Sequence, residues 1–248
     1  MSTFRLAHLY PRELNIYADR GNIAVFDRRT SWRGLGVEVI EVGIGDPVPT
    51  DAHLYYLGGG QDRDQLAVAD DLRGDKGTTL RGLVDDGACL LAVCGGYQLA
   101  GHGYTGVDGT RMDGISVLDA DTVAGGPPRL IGDVVIEARL DGQTHTVVGF
   151  ENHAGRTRLG VGSSPLGVVT SGHGNNGKDG FEGAVTKHAI GTYLHGPLLP
   201  KNPWLADLLI AWALEYATGS RPVLEPLDDH LEEAAHAAAI VRTRQPNR

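Results

Sequence analysis

The chain has 248 residues, enough to bury a sizeable core as one large domain or two small ones, and its 41% hydrophobic and 21% charged composition is that of an ordinary globular protein. A net charge of −9 argues against a nucleic-acid surface, which needs a basic stripe, and no apolar run reaches the roughly 18 residues of a membrane span. The first residues lack the apolar stretch of a signal peptide, and Cys89 and Cys94 lie close together in one apolar segment, which favours a reduced, cytoplasmic setting over a structural disulfide.

Taken in chain order, Thr3–Leu9 reads as a short apolar strand, Gly21–Trp32 as a helix and Val37–Val42 as a β-branched, alternating strand. His53–Leu57 is a further strand running into Gly58-Gly59-Gly60. Asp62 is expected to cap a helix through Leu72, and Thr78–Asp86 reads as a second short helix. Cys89–Val93 is a continuous apolar run, the pattern of a strand buried on both faces. Strands alternating with helices predict an α/β fold: a mostly parallel sheet with flanking helices. From Gly114 the texture changes to short strand candidates between Gly and polar turns: Ile115–Ala120, Leu130–Leu140, Thr144–Phe150, Leu166–Ser171, Gly183–Thr186 and Ile190–Leu194. Pro203 then opens a helix over Trp204–Tyr216 that Gly219 can end, and Asp228–Val241 is an amphipathic helix before a polar tail. No linker or repeat interrupts the chain, so a single domain over 1–248 is expected, with its core at about 3–219.

The most informative segment is Leu90-Leu91-Ala92-Val93-Cys94-Gly95-Gly96-Tyr97-Gln98. A strand ends at Cys94, two glycines follow and a helix starts, which is how a sharp turn lifts a nucleophile above a sheet. Gly96 lacks the Cβ that would crowd that turn, and the helix start offers N–H donors to a developing oxyanion. Cys89 fits the bland reading, a buried structural thiol. A thiolate needs a proton-transfer partner. Of ten histidines, His195 closes the run from Ala189 and precedes Gly196-Pro197, while His153 in Gly149-Phe150-Glu151-Asn152-His153 is its competitor. His102, His145, His188 and His236 read as surface or packing residues. The three glycines from Gly58 to Gly60 can bring N–H groups close to a ligand, as a second oxyanion donor or merely as a flexible turn.

Two motifs fail on context. Gly172–Lys178 has P-loop spacing, but Asp179 stands where Ser or Thr should bind Mg²⁺. Gly101–Gly106 matches G-x-G-x-x-G but follows a helix and opens none. Two cysteines are too few for a zinc ribbon, and no metal site or ATP site is expected in this chain.

Six blocks together resemble a known family: Leu14–Ile23, Leu57–Arg63, Val93–Gln98, Arg129–Asp133, Gly149–Arg156 and Gly191–Pro197. The chain is similar to class I, triad-type glutamine amidotransferases of the cobyric-acid-synthase subgroup. The resemblance implies Cys94 as nucleophile, His195 as base and acid, Arg129 as the grip on the substrate α-carboxylate, and backbone N–H groups near Gly60 and Gly95 as the oxyanion hole. From pattern alone, Arg129 would be a surface arginine at a strand start. The resemblance further implies a glutaminase subunit passing ammonia to a MurT-like Mur-ligase subunit, where ATP and Mg²⁺ act and the D-glutamate α-carboxylate of lipid II is amidated to D-isoglutamine. Many triad-type members carry Glu two residues after the histidine, and here that position is Pro197. An orienting acid must come from the partner or from elsewhere in the chain, such as Glu151 or Asp19, unless Cys94 and His195 act as a dyad. The rival readings are a freestanding cysteine hydrolase of γ-glutamyl substrates, a non-catalytic binding subunit and an amidotransferase of cobalamin biosynthesis.

Overall fold

The computed structural model describes residues 3–16 and 20–244. The first half contains β1 (Thr3–Leu9), α1 (Arg20–Ser31), β2 (Gly36–Val42), β3 (Leu54–Leu57), α2 (Asp62–Asp71), α3 (Asp75–Asp85), β4 (Cys89–Val93), α4 (Gly95–Ala100) and β5 (Gly103–Thr105). Then come β6 (Arg111–Asp113), β7 (Ala120–Ala124), β8 (Leu130–Leu140), β9 (Gln143–His153), β10 (Gly155–Leu159), β11 (Gly167–Ser171), β12 (Phe181–Glu182), β13 (Ala184–Thr186) and β14 (Ala189–Thr192). A 3-10 turn at Leu199–Lys201 leads into α5 (Pro203–Thr218) and α6 (His230–Thr243).

The main sheet has the order β13-β14-β4-β3-β1-β2 and is parallel except for β13, which pairs antiparallel with β14. Every residue of β3 and β4 is buried, as central parallel strands covered on both faces must be. At the edge, β2 turns Glu38 and Glu41 to solvent, which blunts further strand pairing. Helix α5 packs on β3 and β4 and buries Leu205, Leu209, Ile210 and Trp212, each contributing about 1.5–3 kcal/mol by burial. It starts at Pro203 and stops at Gly219, whose φ of 77° is the left-handed region that favours glycine. Arg29 of α1, almost fully buried, is paired by Asp207 of α5 and by Asp229 ahead of α6, so its desolvation is offset by two carboxylates.

Two four-stranded sheets, β10-β7-β5-β6 and β12-β11-β8-β9, account for the change of texture after Gly114. The β8–β9 hairpin sets Leu130 opposite His153, so Arg129, one residue before β8, lies level with the end of β9. An isolated antiparallel bridge between Phe150 and His195 ties this hairpin to the segment that follows β14.

Several expected elements need correction. Asp62 is the first residue of α2, and Gln61 takes the N-cap position. Helix α3 opens at Asp75 rather than Thr78. Ile115–Ala120 is not a strand: Ser116 sits at φ 55°, and the β7 strand only begins at Ala120. Ile115 is apolar because it packs onto the α3 face at Gly77, where an added Cβ would lie 2.7 Å from its Cγ2. Strand β14 ends at Thr192, short of the expected Leu194. Among the described residues no helix is long and apolar enough to cross a membrane.

Candidate active site

Cys94 follows β4 directly and holds a backbone conformation of φ 51°, ψ −104°. For a residue with a side chain this costs on the order of 1–3 kcal/mol, and it persists only where the surroundings enforce it. Three bonds do so: Cys94 N–H donates to the Thr192 carbonyl at 2.8 Å, Gln98 N–H to the Cys94 carbonyl at 3.0 Å, and Gly96 N–H to the Gly58 carbonyl at 3.0 Å. A Cβ on Gly96 would stand 2.6 Å from the Leu57 carbonyl oxygen, so glycine is obligatory there. The turn is therefore the strained strand-to-helix elbow expected from the sequence. Cys89, at the other end of β4, is fully buried, and burial pushes its thiol far above the ordinary range, as suits an inert packing residue.

Cys94 opens onto a cavity of about 650 Å³. Gly60, Gln65, Gln98, Arg129, Asn152 and His153 are among its other walls. Among the described lining residues the ionisable groups are Arg63, Arg129, His153, Tyr104 and Cys94 itself, with no carboxylate, so the cavity of an acidic chain is set up for an anionic ligand. The backbone N–H groups of Gly60 and Gly95 donate to nothing among the described residues, which leaves two donors for an oxyanion beside Cys94. Arg129 is exposed at the mouth. Its Nε and Nη2 donate to the Asn152 side chain and carbonyl, both at 2.9 Å, and this fixes the plane of the guanidinium.

The two candidate histidines occupy different positions. The parallel pairing of β14 with β4 sets Thr192 opposite Val93, so the chain ends that carry His195 and Cys94 emerge at the same edge of the sheet. His195 is fully buried and does not line the cavity; its N–H and carbonyl exchange hydrogen bonds with Phe150 at 2.8 and 3.2 Å. His153 does line the cavity. Its ring lies flat on Tyr193, with centroids 3.6 Å apart and 3° between planes. The His153 Nδ1 lies 2.9 Å from the Gly155 carbonyl, which can only accept, so that nitrogen carries a proton. The Nε2 faces the Glu151 carboxylate at 3.5 Å. Burial lowers the His153 pKa against the opposing pull of Glu151. The His153 Nε2 makes no hydrogen bond among the described residues, so this ring keeps a bare nitrogen, and the choice of His195 as the base rests on the family resemblance.

Glu151 does not serve as a ready orienting acid for another group. It accepts from His173 N–H and Nδ1, both at 2.7 Å, and from Gly174 N–H at 3.0 Å, besides facing His153. Asp19 lies outside the described residues. Pro197 is turned against the start of α1, its Cγ 2.4 Å from where a Cβ on Gly21 would stand.

Glu182 was not singled out by the sequence. Fully buried on β12, it accepts from Thr192 Oγ1 at 2.6 Å and Tyr193 N–H at 2.8 Å, bracing the turn that leads to His195. Burial pushes its pKa up to about 7. Because the folded value is raised, the neutral acid is the form the fold accommodates, and stability should fall as pH rises from the unfolded value of about 4.3 through about 7, by up to about 3 kcal/mol. Glu182→Gln mimics the neutral acid. Denaturant midpoints at about pH 5 and about pH 8 should differ less in this variant than in the natural protein, and an unchanged difference would rule Glu182 out as the cause.

A second constellation is a decoy. His102 lies between Ser116 Oγ at 3.0 Å and Asp119 Oδ1 at 2.9 Å, in the order of a serine-hydrolase triad. The N–H groups of Ser116 and Val117 are already bonded to the Gly101 and Ala100 carbonyls, so an attacked carbonyl would find no donors there. The Gly172–Lys178 segment is a loop pinned by Asn176 and leads into β12, not into a helix.

Residues 5–203 match the model of the CobB/CobQ-like glutamine amidotransferase domain. The chain belongs to this family. It is 41% identical over 216 residues to the GatD subunit of lipid II isoglutaminyl synthase (glutamine-hydrolyzing) of Staphylococcus aureus, covering 87% of this chain and 86% of that protein. Against the GatD subunit of Streptococcus pneumoniae it is 37% identical, with 96% and 92% covered. A cobyric acid synthase of Rhodobacter capsulatus is 32% identical, but only 43% of that protein is covered. Among solved structures, PurLQS from Thermotoga maritima (TM-score 0.55, 14% identity, 88% and 99% covered) and the Trypanosoma brucei CTPS glutaminase domain with bound acivicin (TM-score 0.53, 11% identity, 90% and 97% covered) share the fold. The expected α/β amidotransferase architecture with a mostly parallel sheet is thus the observed one, and the Cys94 cavity sits where this sheet presents its strand ends.

Proposed function

We infer that the chain is the glutamine-hydrolysing subunit of a lipid II isoglutaminyl synthase, releasing ammonia at Cys94 for an ATP-dependent subunit carried on a separate chain. The observation that carries this is the strained Cys94 elbow opening onto a cation-lined cavity, beside Gly60 and Gly95 N–H groups that have no acceptor among the described residues. The two GatD relatives are 41% and 37% identical to the chain and the cobyric acid synthase 32%, which favours peptidoglycan over cobalamin chemistry.

In this reading Arg129 grips the α-carboxylate of glutamine and the Cys94 thiolate attacks the side-chain carboxamide carbon. The oxyanion is held by the Gly60 and Gly95 N–H groups. His195 returns the thiol proton to the nitrogen as ammonia departs, then takes a proton from the water that cleaves the glutamyl thioester, so that glutamate leaves and the thiol is restored. The partner is a MurT-like Mur ligase that binds ATP and Mg²⁺ and activates the D-glutamate α-carboxylate of lipid II; the pair works in the cytoplasm, at the inner face of the membrane. With Pro197 two residues after His195, docking of that partner should raise glutaminase turnover by ordering the segment around His195. The test is amidation of lipid II by the two subunits with ATP, Mg²⁺ and glutamine labelled with heavy nitrogen at the side-chain amide. The label should enter the new D-isoglutamine. With Cys94→Ala only free ammonium should support amidation. Amidation from glutamine with the variant chain, or none with the natural one, would contradict the proposal.

A further inference from the structure

Gln65 of α2 is 3% exposed, yet it forms part of the cavity wall. Its side chain runs between the two glycines that hold the oxyanion donors. The Gln65 Cγ lies 3.6 Å from where a Cβ on Gly60 would stand and 3.1 Å from that on Gly95, and the Nε2 lies 1.9 Å from the latter. The terminal amide therefore occupies the space next to the reacting centre, and glycine at 95 exists partly to admit it. A chain of buried bonds runs from the amide. Gln65 Nε2 donates to Gln98 Oε1 at 3.1 Å, Gln98 Nε2 donates to the Tyr193 hydroxyl at 3.2 Å, and that hydroxyl pairs with Thr157 Oγ1 at 2.7 Å. The remaining atom, Gln65 Oε1, is buried without a hydrogen-bond partner among the described residues. A buried acceptor lacking a donor is costly, and at the wall of a binding cavity its natural complement is a donor brought by the ligand.

We propose that Gln65 is the residue that selects a carboxamide: its Oε1 accepts a hydrogen bond from the side-chain nitrogen of glutamine, the atom that leaves as ammonia. This rests on the glutaminase reading above. The same oxygen disfavours the γ-carboxylate of the product glutamate, which has no proton to offer and repels it, so the group that recognises substrate also helps to expel product.

The experiment uses the full chain with its synthetase subunit present and two substrates, L-glutamine and L-glutamate γ-methyl ester, which lacks the N–H. Gln65→Met keeps the volume and removes the acceptor. It should lower kcat/KM for glutamine by about 10- to 100-fold and change that for the ester by no more than about 2- to 3-fold. Equal losses on both substrates would make Gln65 a structural residue and overturn the proposal, as would no loss on either. A binding measurement does not depend on how well that variant folds: on Cys94→Ala, glutamine should bind at least about 10-fold more tightly than the ester, and equal affinities would overturn the proposal. If the natural protein hydrolyses neither substrate, the glutaminase reading itself fails.

Discussion

Cys94→Ser is expected to lose glutaminase activity by ~10⁴-fold or more, while Cys89→Ala keeps it within about 2-fold. The two cysteines bracket the same strand and differ in everything the chemistry requires. Cys94 is held at φ 51° on a turn that opens to the cavity. Cys89 is walled in by the core, with its thiol pushed far from ionisation by burial. Serine at position 94 preserves size and the strained turn, but its hydroxyl holds its proton far more tightly than a thiol, and the site was shaped around a thiolate. Cys89→Ala should instead register as stability, about 1 kcal/mol or so from a small void in the central strand. Steady-state kinetics with circular dichroism on both variants separates these effects. Comparable losses in two folded variants would remove the special status of Cys94.

The second large effect is expected at His195. His195→Ala should reduce kcat by about 10²- to 10⁴-fold, because the proton from Cys94 and the proton to departing ammonia then have no carrier. His153→Asn should cost less than about 10-fold in kcat and appear mainly as a lower melting temperature. It removes a ring stacked on Tyr193 and bonded to Gly155 and leaves Glu151 with its His173 and Gly174 donors. The reverse ranking, with His153 essential and His195 dispensable, would transfer the base to the histidine that visibly lines the cavity. That outcome would also require the Glu151–His153 contact at 3.5 Å to open during turnover.

The parts legible in the sequence were those where burial on both faces or a conformational demand leaves a local mark. β4 reads as an unbroken apolar run because nothing along it meets water. Cys94 is conspicuous because Gly96 must clear the Leu57 carbonyl. Gly219 ends α5 where a helix-ending glycine is expected. The second half was harder. β10 carries Arg156 and Arg158 on alternate positions and has no apolar face to announce it, while Ile115 is buried by packing without being in a strand. His195 and His153 both follow strand candidates, and nothing in their sequence context shows that His153 and not His195 lines the cavity. Arg129 stood out through family resemblance alone; its place on the cavity wall comes from the β8–β9 register. Gln65 gave no signal, since one polar residue in an amphipathic helix is ordinary until its burial beside Gly60 and Gly95 is known.

The most direct test of glutamine hydrolysis at Cys94 is to trap the intermediate. The complex would be mixed with carbon-labelled glutamine, quenched in acid within the first turnover, digested and mapped by mass spectrometry. A glutamyl group should be found on the peptide that contains Cys94, should be released by hydroxylamine as a thioester is, and should be absent from Cys94→Ser. Turnover of glutamine with no label on that peptide, or with the label on another residue, would contradict the mechanism.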